Sequence, residues 1–185
     1  MLLNWRLTVT ELEYIVGDSS PMLLVHDTEF AATATELQQR CDIATLLEID
    51  HGTPDSAYET ALAAHAGTPV EPVTLTHDDV ITIMYTSGTT GLPKGAMITH
   101  GMNFWNCVNL GVPAGIGIDT VHLNILPLFH TGGLNCYSNP VLHAGGTVVI
   151  LKTFDPGETL QVLGDPGRRE IAASPTIENR ELQRI

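Results

Sequence analysis

The segment that most constrains this chain is residues 80–95. Val80-Ile81-Thr82-Ile83-Met84-Tyr85 is a run of β-branched, apolar and aromatic residues, the composition of a buried strand. It feeds without a break into Thr86-Ser87-Gly88-Thr89-Thr90-Gly91-Leu92-Pro93-Lys94-Gly95. Gly88, Gly91 and Gly95 remove the Cβ atoms that would bar close backbone approach or positive φ. Thr86, Ser87, Thr89 and Thr90 offer hydroxyls, Lys94 adds a cation, and Pro93 fixes the chain direction just before it. An ordinary hairpin turn needs about two to five residues and none of this chemistry. Backbone N–H groups, hydroxyls and one cation are what a bound polyphosphate requires. A Lys–phosphate pair ~4 Å apart is worth roughly 4 kcal/mol at an effective dielectric of ~20. The order of residues is not the Walker pattern G-x-x-x-x-G-K-[ST]. Pro93 precedes Lys94 and Gly95 follows it, so the hydroxyl that holds Mg²⁺ in P-loop kinases and GTPases is missing.

Strand and helix signals alternate along the rest of the chain. Thr8-x-x-Glu11 has capping-box spacing, with Leu7 and Leu12 placed as a hydrophobic staple. Leu12, Ile15 and Val16 follow at helical spacing, and Gly17 is expected to close that helix. Residues 21–26 and 43–49 read as strands. A helix over 29–40 has Asp27 or Thr28 as its expected cap, and another helix is expected near 56–65. Residues 67–79 read as a connection into the strand at 80–85. Beyond the Gly-rich loop the pattern predicts a short strand at 96–98 and a helix from the Thr99 cap towards Leu110. Strands follow at 121–126 and 147–151, with a small-residue helix at about 133–142 between them. Continuous apolar strands alternating with helices predict an α/β architecture, layered, with a mainly parallel sheet and flanking helices. Such sheets bind ligands at the carboxyl ends of their strands, where the loop after Tyr85 lies.

Eight Lys plus Arg against twenty-one Asp plus Glu give a net charge of −13, which leaves no basic stripe for nucleic acid. A single anionic ligand remains compatible, because the Debye length is only ~8 Å at physiological salt. The hydrophobic fraction of 43% and charged fraction of 16% argue against disorder. Cys41, Cys107 and Cys136 are odd in number and far apart, so a disulfide framework or a zinc site is not expected. The start lacks a signal-peptide pattern and no apolar window is long enough for a transmembrane helix. A cytoplasmic protein without an integral membrane segment is the expectation; the oligomeric state stays open.

The run Tyr85-Thr86-Ser87-Gly88-Thr89-Thr90-Gly91-Leu92-Pro93-Lys94-Gly95 resembles the signature loop of the adenylate-forming superfamily, which includes acyl-CoA synthetases, peptide-synthetase adenylation domains and firefly luciferase. Leu126-Pro127-Leu128-Phe129-His130-Thr131-Gly132-Gly133 resembles the family's next motif. Leu3-Asn4-Trp5-Arg6-Leu7, Gly145-Gly146-Thr147-Val148-Val149 and Phe154-Asp155-Pro156 are similar to the acyl-CoA synthetase branch. The resemblance implies a fold that is part of the large N-terminal domain of these enzymes, occupying residues 1–185, with the mobile C-terminal domain outside the chain.

It also implies a two-step reaction. A carboxylate attacks the α-phosphate of Mg-ATP, releasing pyrophosphate and leaving an acyl-adenylate; the thiol of coenzyme A then displaces AMP. Thr86, Ser87, Gly88, Thr89, Thr90, Gly91 and Lys94 would hold the ATP phosphates. His130 would stand near the acyl carboxylate and the thiol path, with Lys94 and His130 as the catalytic pair. The partners implied are a small carboxylic acid, fatty or other acyl, together with ATP, its Mg²⁺ and CoA. His122 and His130 lack the further ligands of a metal site, so no protein-held metal is expected. The family's Tyr-Gly-x-Thr-Glu segment, ribose-binding Asp and C-terminal Lys have no counterpart in this sequence, and the resemblance fades after Val162. Two alternatives stay open: a non-catalytic nucleotide-binding remnant, and part of another adenylating enzyme such as a peptide-synthetase domain.

Overall fold

The computed structural model describes residues 1–50, 53, 54, 56–86, 91–164 and 171–173, and the chain divides into two compact units. The first comprises Leu3–Thr74 and Tyr85–Gly95; the second comprises Met1–Leu2, Leu75–Met84 and Ala96–Ile185.

In the first unit, α1 (Val9–Ser19) starts from a complete capping box. The Thr8 hydroxyl accepts the Glu11 N–H at 3.4 Å, while Glu11 Oε2 accepts the Thr8 N–H at 2.8 Å and the Thr8 hydroxyl at 2.7 Å. Those bonds, the backbone one foremost, hold the Glu11 carboxyl below its ordinary pKa. Gly17 does not close the helix, as its sequence position suggested. The Ser19 hydroxyl donates to the Ile15 carbonyl, and the chain leaves at Ser20, whose φ of 46° is left-handed. Strand β1 (Leu23–Asp27), helix α2 (Ala31–Cys41) and strand β2 (Thr45–Ile49) form a β-α-β unit, the two strands parallel from Leu23↔Thr45 to Asp27↔Ile49. The expected Asp27 or Thr28 cap does not form. A 3₁₀ turn, Thr28–Phe30, intervenes, and the Thr28 hydroxyl donates instead to Glu48 Oε1 at 3.2 Å. Leu12 and Val16, one helical turn apart, meet Leu37 of α2 and Ile43 in the core. Helix α3 (Ala57–Ala64) is capped by the Ser56 hydroxyl on the Glu59 N–H.

Strands β3 (Val80–Thr86) and β4 (Lys94–Thr99) form a two-stranded sheet. Residues 87–93 join them, fewer than the dozen or so that a parallel crossover needs, so this pair is a hairpin. The remaining strand pairs are parallel. In the second unit β5 (Val121–Asn124) lies between β6 (Thr147–Ile150) and β7 (Ile171–Ala173), parallel to both. The mixed α/β architecture with parallel sheets and flanking helices agrees with the sequence reading, but the strands are shared among three small sheets.

Strand β5 stops two residues earlier than its apolar run. Asn124 Oδ1 takes the Leu126 N–H at 3.0 Å, and Pro127 has no N–H to offer a ladder. Helix α4 (His100–Gly111) starts at the Thr99 cap, whose hydroxyl accepts the Met102 N–H at 3.2 Å. Helix α7 (Pro156–Leu163) was not anticipated, although Asp155-Pro156-x-Glu158 supplies a side-chain cap, a proline in the first turn and an acidic residue. Among the described residues no helix is long and apolar enough to cross a membrane.

Candidate functional site

The shoulders of the Gly-rich loop lie in the first unit. Strand β3 ends on Thr86, which is exposed. Ser87, Gly88, Thr89 and Thr90, the centre of the expected phosphate cradle, lie outside the described residues. Gly91 has a φ of +103°, a region that side-chain-bearing residues rarely enter, so glycine is required there by backbone geometry. Lys94 stands one step away from where the sequence reading put it. The strand begins at Lys94, not at residue 96, so this exposed lysine is the first residue of β4. Its backbone is thereby tied into the hairpin while its ammonium faces water.

Tyr85, one residue before Thr86, anchors the other shoulder. Its phenol donates to Asp18 Oδ2 at 2.5 Å, near the end of α1. Burial first, and the carboxylate partner second, push the phenol up to about 12. The hydroxyl therefore stays protonated and a donor throughout the neutral range. The sequence marked Tyr85 only as a strand residue and a motif member; its partner, 67 positions away, left no local signal.

His130 lies in the second unit, exposed, at the start of a helical segment made of α5 (Thr131–Gly133), a π turn (Leu134–Ser138) and α6 (Asn139–His143). The expected helix at about 133–142 is present but starts earlier and contains the π turn. The His130 backbone is doubly held: its N–H donates to the Pro127 carbonyl at 3.1 Å, and its carbonyl accepts the Gly133 and Leu134 N–H groups at 3.0 and 3.1 Å. A Cβ on Gly133 would sit 2.3 Å from the Pro127 carbonyl oxygen, so only glycine lets this turn fold back on the strand end. The imidazole is left free of helix capping. Its ring lies 6.2 Å from that of Phe129. His122 is placed elsewhere, buried on β5 and stacked on Tyr137 at 5.4 Å. Among the described residues no group of three or more His, Cys, Asp or Glu side chains could hold a metal ion.

Behind Thr131 runs a ladder of side-chain amides that the sequence reading missed. Asn135 Nδ2 donates to Thr131 Oγ1 at 3.1 Å and to the Met84 sulfur at 3.2 Å. Asn139 Nδ2 donates to Asn135 Oδ1 at 2.9 Å and to Asn103 Oδ1 of α4 at 3.0 Å. Asn106 Nδ2, one turn further along α4, donates to the Asn135 backbone carbonyl at 2.7 Å. The signal was available: Thr131, Asn135 and Asn139 recur every four residues, and Asn103 and Asn106 are three apart.

A family model described as AMP-binding enzyme matches residues 1–183. Feruloyl-CoA synthase of Amycolatopsis sp is 41% identical over 175 residues, covering 95% of this chain and 33% of that protein. Indoleacetate–CoA ligase of Aromatoleum aromaticum is 35% identical over 165 residues, covering 88% of this chain and 32% of that one. Among solved structures, ATP-bound MatB from Rhodopseudomonas palustris superposes with a TM-score of 0.74 at 32% identity, covering 88% of this chain and 32% of that structure. The chain thus spans about a third of the length of the curated relatives it matches.

Proposed function

Because the chain belongs to the family of AMP-binding enzymes, we propose that it supplies the phosphate-gripping and His130-bearing part of an acid–thiol ligase. That ligase joins a carboxylic acid to coenzyme A through an acyl-adenylate. The observation that carries this reading is the unbroken run from Tyr85 to Gly95, lying inside the family match. In this reading residues 1–185 are part of the N-terminal AMP-binding domain of a longer enzyme.

Thr86, Ser87, Thr89 and Thr90 donate hydroxyls, and Gly88 and Gly91 open the backbone, to the β- and γ-phosphates of ATP. Lys94 adds the positive charge that steadies pyrophosphate as its bond to the α-phosphorus breaks. Mg²⁺ would arrive with the nucleotide and would supply charge neutralisation on the phosphates that the loop grips. His130 faces the acyl carboxylate, where it orients the attacking oxygen and later the thiol. The names of the two relatives point to an acid bearing an aromatic ring ahead of a fatty acid.

Titration calorimetry with Mg-ATP tests the grip. Saturable binding that pyrophosphate competes away is expected; no binding, or binding indifferent to pyrophosphate, overturns the reading. ATP–pyrophosphate exchange across aromatic, fatty and amino acids, run with the longer enzyme to which residues 1–185 belong in this reading, then sorts the alternatives. Exchange with aromatic acids is the expected result. Exchange with amino acids alone would reassign the chain to a peptide-synthetase type, and binding without exchange would leave a nucleotide-binding remnant.

A further inference from the structure

The π turn beside His130 has a specific chemical cause. In a π turn each carbonyl accepts from the N–H five residues ahead. The Asn139 N–H does this, donating to the Leu134 carbonyl. The next carbonyl in that register, Asn135, faces residue 140, which is a proline without an N–H. Pro140 is fully buried, so water is a poor substitute partner there. The bond that the backbone cannot make is made from another helix, by Asn106 Nδ2 at 2.7 Å. At the start of the same turn the buried Ser138 hydroxyl donates to the Gly133 carbonyl at 2.6 Å.

We propose that Asn106 is a positioning residue for His130, its side-chain amide standing in for the N–H that Pro140 lacks and so holding the π turn. The consequences run toward the imidazole in two steps. The bond from Asn106 fixes the Asn135 backbone, and the Asn135 side chain holds Thr131, the residue next to His130. The turn of residues 130–134 is closed by the His130 carbonyl, so a change of register at Asn135 is felt at His130. The same amide ladder continues to Asn103, which gives the turn a second attachment to α4. A π turn would be expected to relax toward the ordinary four-residue register without such outside partners; with them it is held in place. This role rests on the reading above that His130 serves the acyl carboxylate. The geometry it invokes stands whether or not that reading holds.

The test is a double-mutant cycle on residues 1–185 without truncation, read in two ways. Asn106→Leu keeps the volume and removes the donor. Its Tm should fall by roughly 4 °C or more, and the His130 imidazole resonances, assigned by comparison with His130→Gln, should move. Pro140→Ala restores an N–H opposite the Asn135 carbonyl. Added to Asn106→Leu it should recover at least half of the lost Tm and return the His130 resonances towards their original positions. If Asn106→Leu alone does not fold, folding of the double variant is itself the rescue. The proposal is overturned if the His130 resonances stay put in Asn106→Leu, or if Pro140→Ala rescues nothing. These readouts need no turnover. Failure of the adenylation reading would show in ATP binding and pyrophosphate exchange, and failure of this inference in the cycle.

Discussion

Lys94 and Tyr85 sit on the two sides of one loop and are held by opposite means. Lys94 is exposed at the first residue of its strand, so in the proposed role its ammonium serves the nucleotide and not the fold. Lys94→Ala should weaken Mg-ATP binding about 10- to 100-fold, the worth of one charge-assisted bond, with stability changed by no more than about 0.5 kcal/mol. Calorimetric titration and urea unfolding read the two effects; unchanged ATP affinity would remove Lys94 from the site. Tyr85 is tied to Asp18 and behaves differently with pH. In the unfolded chain its phenol ionises near 10, but in the folded chain near about 12. Across that window the unfolded state binds fewer protons, so stability falls as pH rises through it. Tyr85→Phe has no phenol to ionise. The stability gap between parent and variant should therefore narrow between pH 10 and 12, followed by urea unfolding. The residue types at this site were legible in the sequence because loop chemistry is local. Asp18 was not, because nothing near Tyr85 in the chain announces a partner on α1.

At the level of elements, caps decide where helices begin. Thr8 and Thr99 cap as the sequence predicts, and Ser56 caps α3 in the same way, because each needs only a hydroxyl and an N–H three residues on. The Glu11 arm of the first cap carries a pH signature. Its carboxyl lies below an ordinary value of 4.5, so the bonds to Thr8 stabilise α1 above that pH and are lost as pH falls below it. Glu11→Gln keeps an acceptor but no charge. Acid titration followed by circular dichroism should show the parent losing its advantage over the variant below about pH 4.5. An unchanged gap down to pH 2 would rule this carboxylate out as a helix anchor. Not every boundary was legible: α2 starts without the expected Asp27 or Thr28 cap, and a helix end misled too. Gly17 looked like a terminator, but Ser19 and Ser20 satisfy the last carbonyls two and three residues later. The π turn was hidden for a related reason. Its cause is the coincidence of Pro140 with an amide 29 positions before Asn135, and helical periodicity alone reports neither.

On the scale of the whole chain, the fold class followed from apolar runs alternating with capped helices, and the parallel pairing of β1 with β2 and of β5 with β6 and β7 bears it out. The division into two units was not legible, because the second unit takes residues 75–84 from the middle of the first unit's sequence. Each unit has buried side chains of its own: Leu12, Val16 and Leu37 in the first, Leu123 and Val141 in the second. Leu37→Ala should cost about 2–5 kcal/mol. Hydrogen exchange should quicken first across residues 3–74, and later or less in residues 96–164; equal loss in both would show a single cooperative block. The Asn106–Pro140 pairing also makes the order of two substitutions matter energetically. An asparagine arriving at 106 opposite a carbonyl that already has its bond costs little. A proline arriving at 140 with no amide opposite it leaves that carbonyl stranded, at about 1–3 kcal/mol. The less costly route into this pair therefore takes the asparagine first, and the less costly route out gives up the proline first.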